Sequence, residues 1–326
     1  SYPCKVENGK EVIEAGEGAT GTIIPDVDSN GKVLETVSNI MADGTTVTLK
    51  ENTVITPADA TLILVRNLAD EAAPGDNDKT GTTPLSIRSY IGLPDGLAFA
   101  GNPLLISFAD DYNGQLGDLN LEYEGTDGVW SLDPKGDKGV KLSGGVYTMN
   151  IEHFSKFRAA IDLGISEESG VVKSDYTSFP VGRMNNNDVE IDVHVTCTGL
   201  KAGVKYENYD QLVAEVKQKF SNENVQNVVL TAIQDAYADV KKEFETVTLE
   251  GDIKVPAFTL LNSVSVETKE VTKPCTVTVN NIQIQFNVLT VEYLKVVTLE
   301  KDMTHIGHSH GHGNDLNAGG GIIVGE

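Results

Sequence analysis

From residue 1 to about 165 the chain is punctuated by turn dipeptides: Asn30-Gly31, Asp43-Gly44, Asp95-Gly96, Asn113-Gly114 and Asp127-Gly128. Short apolar runs such as Val47-Thr48-Leu49 and Leu104-Leu105-Ile106 lie between them. Asn-Gly and Asp-Gly pairs close tight hairpins, so a chain that turns this often has no room for long helices. Toward the end of this stretch Tyr147, Met149 and Ile151 alternate with Thr148, Asn150 and Glu152, the period of a strand with one face buried and one wet. Short strands with frequent turns predict a β-sandwich over residues 1–165.

The pattern then changes. Residues 166–187, including Glu167-Glu168-Ser169-Gly170 and Asn185-Asn186-Asn187, carry almost no apolar periodicity and read as a linker. A strand from Val189 to Cys197 opens a second domain, residues 188–326. From Tyr209, Leu212, Val213, Val216 and Phe220 share one helical face, with Asn208 expected as N-cap and Gln211 as its capping-box partner. A second helix is predicted from the stripe Val225, Val228, Val229, Ala232, Ile233, Ala236, Tyr237 and Val240. After Phe244 the period returns to two. Cys275, Val277 and Val279 hand over to Ile282, Ile284, Phe286 and Val288 with a change of parity at Asn280-Asn281, which predicts a hairpin turn there. Helices grouped together and strands grouped together give an α+β domain, a helical hairpin packed on an antiparallel sheet. The fold class expected is therefore mainly β with an α+β second domain.

At 326 residues two domains are the default. The 25 basic and 48 acidic side chains leave a net charge of −23, which repels phosphate backbones and anionic lipid surfaces, so no nucleic-acid partner is expected. No transmembrane segment is expected either, since the longest apolar runs are strand-sized pieces such as Ala60-Thr61-Leu62-Ile63-Leu64-Val65. The first residue is serine, which reads as a trimmed chain or a removed export signal. Three cysteines are too few for a disulfide framework. Cys197 and Cys275 share strand parity with valines and point to a core, either as two buried thiols or, in an exported protein, as a disulfide. Cys4 follows Pro3 instead of the small residue of a lipid-anchor signal, so an anchor, if present, belongs upstream of Ser1.

Several motifs together resemble a known module. They are Gly18-Ala19-Thr20-Gly21-Thr22-Ile23-Ile24, Asp43-Gly44-Thr45-Thr46-Val47-Thr48-Leu49, Leu93-Pro94-Asp95-Gly96-Leu97-Ala98-Phe99 before Asn102-Pro103-Leu104, the region of Trp130, and His153-Phe154-Ser155. From about residue 16 to residue 160 the chain resembles the ZU-five β-sandwich of zonula occludens proteins, netrin receptors and ankyrins, an Ig-like sandwich also found in bacterial surface proteins. The layout of the whole chain is similar to secreted lipoproteins of gut Bacteroidota, some of them named as adhesins. The resemblance implies display on the cell surface and binding in place of catalysis.

Four constellations could carry chemistry. In His153-Phe154-Ser155 the resemblance implies a candidate autoprocessing site, Ser155 attacking the Phe154 carbonyl while His153 takes its proton. Strand parity puts His153 and Ser155 on one face; a packing motif is the competing reading. His305, His308, His310 and His312 crowd a Gly-rich segment and offer imidazoles to zinc, nickel or copper, against a solvated loop as the alternative. Asp26, Asp28 and Asn30 match the first half of an EF-hand calcium loop, but Val37 stands where a bidentate Glu belongs and a hairpin turn explains the same residues. Acidic loops at Asp76-Asn77-Asp78 and Asp110-Asp111 could add oxygen ligands. Finally, Gly16-Glu17-Gly18-Ala19-Thr20-Gly21 has dinucleotide-loop spacing but leads into Thr22-Ile23-Ile24-Pro25, a strand where a helix would be needed, and is rejected.

These features describe an exported protein of a bacterial cell surface or periplasm, of the outer-membrane lipoprotein type, acting as a non-enzymatic binding, adhesion or scaffold protein for an unknown protein or glycan. Metal binding through the histidine cluster and self-cleavage between Phe154 and Ser155 are the alternatives.

Overall fold

The computed structural model describes residues 5–7, 12–14, 18–68, 82–302 and 323–325. It is mainly β with antiparallel sheets that do not close, and two helices occur among the described residues. The chain divides into two compact units. The first takes in residues 1–166, 214–236 and 277–284, the second residues 167–213, 237–276 and 285–326.

Strands β1 (Lys5–Glu7), β2 (Val12–Glu14), β3 (Thr20–Ile23), β4 (Val37–Ile40), β5 (Thr46–Leu49), β6 (Val54–Thr56), β7 (Ile63–Asn67) and β8 (Thr82–Leu93) open the first unit. They are followed by β9 (Ala98–Ala100), β10 (Leu104–Ala109), β11 (Asn120–Glu124), β12 (Trp130–Leu132), β13 (Lys141–Ser143), β14 (Val146–Ile151) and β15 (Lys156–Glu167). One sheet has the order β13-β14-β10-β5-β4; a second runs β12-β11-β15-β8-β7-β3; β6 pairs with β9, and β1 with β2. The predicted alternation on β14 is realised: Tyr147, Met149 and Ile151 are fully buried beside Leu104, Ile106 and Phe108 of β10 and Val47 and Leu49 of β5. Burial continues on the second sheet through Leu64 and Val65 of β7, Tyr90 of β8 and Phe157 of β15. Tyr90 ties the two sheets together, its phenol 2.9 Å from the Thr45 hydroxyl.

Further along the chain β16 (Val171–Met184) and β17 (Ile191–Tyr206) precede the helices α1 (Tyr209–Lys219) and α2 (Glu223–Ala236); β18 (Glu245–Val255), β19 (Leu260–Val279), β20 (Ile282–Asp302) and β21 (Ile323–Gly325) follow them. The strand order is β21-β18-β17-β20-β19, with β16 paired to β19. The core lies between Val193, Val195, Cys197 and Leu200 of β17, Leu249, Ile253 and Val255 of β18, and Leu261, Val264 and Val266 of β19. Strand β17 bonds β18 through Ala202 and then turns to bond β20 from Gly203, where a φ of 122° needs a residue without a β-carbon. The two-residue turn Asn280-Asn281 joins β19 to β20 as predicted, Asn280 taking a left-handed φ of 52°.

Two expectations are corrected and one is refined. Residues 171–184, read as linker, form β16, paired with β19 from Val171 to Met184; because nearly all of its side chains are wet on both faces, no apolar alternation marks it. Asn208 takes the N-cap position as predicted, its carbonyl accepting the first helical N–H, from Leu212, at 3.1 Å, but with a left-handed φ of 51°. Finally, α2 belongs to the first unit, not to a hairpin on the second unit's sheet. Of its stripe, Val225, Val229, Ala232 and Ile233 are buried as predicted, whereas Ala236 is exposed and Tyr237 and Val240 lie past the end of the helix; the helix lies against β8, and Asn222 caps it by accepting the Val225 N–H at 3.1 Å. A stripe fixes which face is buried but is silent on what covers it. Among the described residues, no helix is long and apolar enough to cross a membrane.

Candidate functional site

Between β14 and β15 the tripeptide His153-Phe154-Ser155 interrupts the strand, so parity does not set its side chains on one face. The Phe154 ring is buried and packs edge-on against Phe99 at 5.1 Å. Its N–H donates to the Leu97 carbonyl at 2.7 Å and its own carbonyl accepts the Gly96 N–H at 3.0 Å. His153 stacks on Tyr123 with ring centroids 4.3 Å apart, whereas the Ser155 hydroxyl donates to the Lys156 carbonyl at 3.1 Å. Each group that self-cleavage would need is engaged separately.

Asp28 organises a turn. Its Oδ1 accepts the N–H groups of Asn30 and Lys32, both at 2.9 Å, and Gly31 closes the loop with a φ of 81°. The Asp26 carbonyl accepts the Leu34 N–H at 2.8 Å, and Asn30 is exposed. These are the hydrogen bonds of a hairpin. Asp110 does the same work for Tyr112 and Gly114, while Asp111 pairs with Arg88 at 2.9 Å. No group of three or more His, Cys, Asp or Glu side chains gathers around a common point among the described residues. His305, His308, His310 and His312, with Asp76 and Asp78, lie outside the described residues, as does Cys4. Cys197 and Cys275 are buried free thiols, and burial pushes both thiols up from their ordinary value.

A concavity that the sequence did not announce lies in the second unit. The end of β17, the first turn of α1 and the segment entering β18 enclose an open cleft of about 710 Å³. Lys201 and Lys205 come from β17, Lys242 from the segment before β18, and Tyr206, Tyr209 and Phe244 supply aromatic surface. The ladder places them. The Lys241 N–H donates to the Val204 carbonyl at 2.9 Å and the Lys241 carbonyl accepts the Tyr206 N–H at 3.3 Å, which lays residues 241–244 alongside the end of β17. Lys205 then sits 4.7 Å from the centroid of Phe244 and Lys242 4.5 Å from that of Tyr209. Such cation–π contacts hold long flexible side chains in place while the ammonium groups keep donors to spare.

The floor is rigid. Tyr206 is 3% exposed and packs against Tyr209 and Phe286, which in turn meets Tyr237 edge-on. Burial, with smaller contributions from Tyr209 and Cys275, pushes the Tyr206 phenol up to about 12. At the rim the first residues of α1 bring the positive end of the helix dipole, with Asn208 and Gln211 as neutral hydrogen-bonding groups and Asp210 and Glu243 as the opposing charges. Three lysines and a helix N-terminus thus converge in a chain whose net charge is −23. The chain matches no protein-family model, no curated protein and no solved structure.

Proposed function

We propose that the protein is a non-enzymatic recognition protein of a bacterial cell surface, an adhesin or scaffold, and that the cleft between β17, α1 and β18 is where it holds its partner. The observation that carries this reading is the concentration of Lys201, Lys205 and Lys242 over an aromatic floor in a strongly acidic protein. A net charge of −23 disfavours anions overall, so a concavity in which lysines gather favours an anionic group small enough to enter it. Aromatic faces beside amide and hydroxyl groups suit a sugar ring, and the ligand class proposed is a glycan bearing carboxylate or sulfate.

The resemblance of residues 16–160 to the ZU-five sandwich belongs to the same reading, as does export. The paired sheets of the first unit, with buried residues on their facing sides, support a sandwich there. A metal-handling role rests on His305, His308, His310 and His312 alone and predicts zinc, nickel or copper uptake lost when all four are replaced.

The test is calorimetric titration with an oligogalacturonate, a sulfated oligosaccharide and a neutral glycan of equal length. Binding of an acidic glycan that weakens about tenfold in Lys205→Ala or Lys242→Ala, and weakens further with salt, is the expected result. Equal binding of the neutral glycan, or no response to either lysine, overturns the assignment; binding of an acidic peptide in place of the glycans redirects it to a protein partner.

A further inference from the structure

Strand β16 presents an open edge. Among the described residues β19 is the strand it pairs with, and from Val171 to Ser178 its side chains are exposed on both faces. Three of them are large and apolar: Val171 is 70% exposed, Val172 58% and Tyr176 52%. Pro180 tells which main-chain groups face outward. It stands opposite Ser263 within the ladder, and a proline is accommodated in a strand when its missing N–H falls on the unpaired side. Main-chain groups alternate in direction along a strand, so Val172, Ser174, Tyr176 and Ser178, which share the parity of Pro180, turn theirs to the open edge. The Tyr176 N–H agrees: it takes the carboxylate of the adjacent Asp175 at 2.8 Å, a local acceptor for a donor without a strand opposite.

We propose that this edge pairs antiparallel with the same edge of a second copy, forming an isologous dimer centred on Ser174. The sequence Val171-Val172-Lys173-Ser174-Asp175-Tyr176-Thr177 is self-complementary in this register. Ser174 faces Ser174, Lys173 faces Asp175 and Val172 faces Tyr176, each pair occurring twice about the two-fold axis. One sheet face then carries the valine–tyrosine contacts and the other the two ion pairs. Both neighbouring registers that keep the same residues bonded are opposed by charge: centring on Lys173 brings two ammonium groups together, and centring on Asp175 brings two carboxylates together. Lys173 and Asp175 therefore select the register as well as discouraging unrelated strands, the usual duty of charges at an edge.

The test is sedimentation equilibrium of the full chain across a concentration series, with Lys173→Asp and Asp175→Lys prepared separately. The wild-type protein is expected to approach twice the 34.9 kDa chain mass. Each single variant sets like charges in opposition and is expected to stay monomeric, whereas an equimolar mixture restores both ion pairs and dimerises. The double exchange Lys173→Asp/Asp175→Lys also dimerises. Unchanged circular dichroism of the single variants, whose side chains are exposed, separates loss of pairing from loss of fold. A wild-type protein monomeric at every concentration, or single variants that dimerise as well as the parent, overturns the proposal.

Discussion

Glu122 of β11 and Arg158 of β15 stand directly opposite each other in the ladder with both side chains wholly buried. One carboxylate oxygen of Glu122 accepts from Arg158 Nε at 2.7 Å and lies 2.6 Å from Nη2, and the guanidinium sits 4.6 Å from the centroid of Trp130. Removing either partner strands an uncompensated charge in the core of the first unit. Glu122→Ala is expected to cost about 3–5 kcal/mol in denaturant unfolding, while the paired replacement Glu122→Leu/Arg158→Met comes close to neutral. Equal losses in the single and double variants would show that packing volume, not charge, dominates the site.

Gly92 of β8 lies under the Phe154 ring, where an added Cβ would fall 2.2 Å from Cδ1. Gly92→Ala must displace a ring that is 1% exposed and is expected to cost about 1–3 kcal/mol. In a Phe154→Leu background the added methyl meets a smaller neighbour and costs less; additive losses in a double-mutant cycle would refute direct contact.

The same residues bear on the Phe154–Ser155 bond. With the Phe154 carbonyl held by Gly96, the Ser155 hydroxyl turned to Lys156 and His153 stacked on Tyr123, attack on that carbonyl lacks an aligned nucleophile and base. Intact-mass measurement is expected to give one 34.9 kDa species, unaltered in Ser155→Ala. A pair of fragments divided at Ser155 that disappears in the alanine variant would reverse this.

Legibility in the sequence followed burial. Tyr147, Met149 and Ile151 announced β14 because one face is dry and the other wet, and the stripe from Val225 to Ile233 announced α2 for the same reason. The parity change at Asn280-Asn281 located a hairpin because asparagine tolerates a positive φ. Strand β16 was invisible because Lys173, Ser174, Asp175 and Tyr176 are all wet, so alternation carries no hydrophobic signal. The cleft was missed for another reason. Lys201 to Gln211 and Lys242 to Thr246 are brought together by the bridge between Lys241 and Lys205 and by the pairing of β18 with β17, and each lysine alone reads as an ordinary solvated side chain.

Cys197 and Cys275 are free, buried, and less acidic than ordinary thiols because burial disfavours the thiolate. In the native protein at neutral pH, iodoacetamide should leave both unmodified, and both should react once denaturant is added. Peptide mapping reads the two sites individually. A cross-linked Cys197–Cys275 peptide in a non-reducing digest, or rapid native labelling of either thiol, would contradict the arrangement.

Alkaline pH should unfold the protein through its buried phenols. Tyr206 is raised from 10.0 to about 12, chiefly by burial, and burial likewise raises Tyr90, Tyr123, Tyr147 and Tyr237. An unfolded chain releases these protons near its ordinary value while the folded chain retains them, so above that value the folded state binds more protons and stability falls as pH rises. The contribution is fully present below pH 10 and is lost through about 12 for Tyr206. For that residue alone the loss amounts to roughly 2–3 kcal/mol. Tyr206→Phe removes the ionisable group while keeping the ring against Tyr209 and Phe286, so its unfolding midpoint should fall less steeply than that of the parent between pH 10 and pH 12. Identical alkaline profiles for the variant and the parent would mean that Tyr206 ionises in the folded state as readily as in the unfolded chain, and the floor of the cleft would then be open to water.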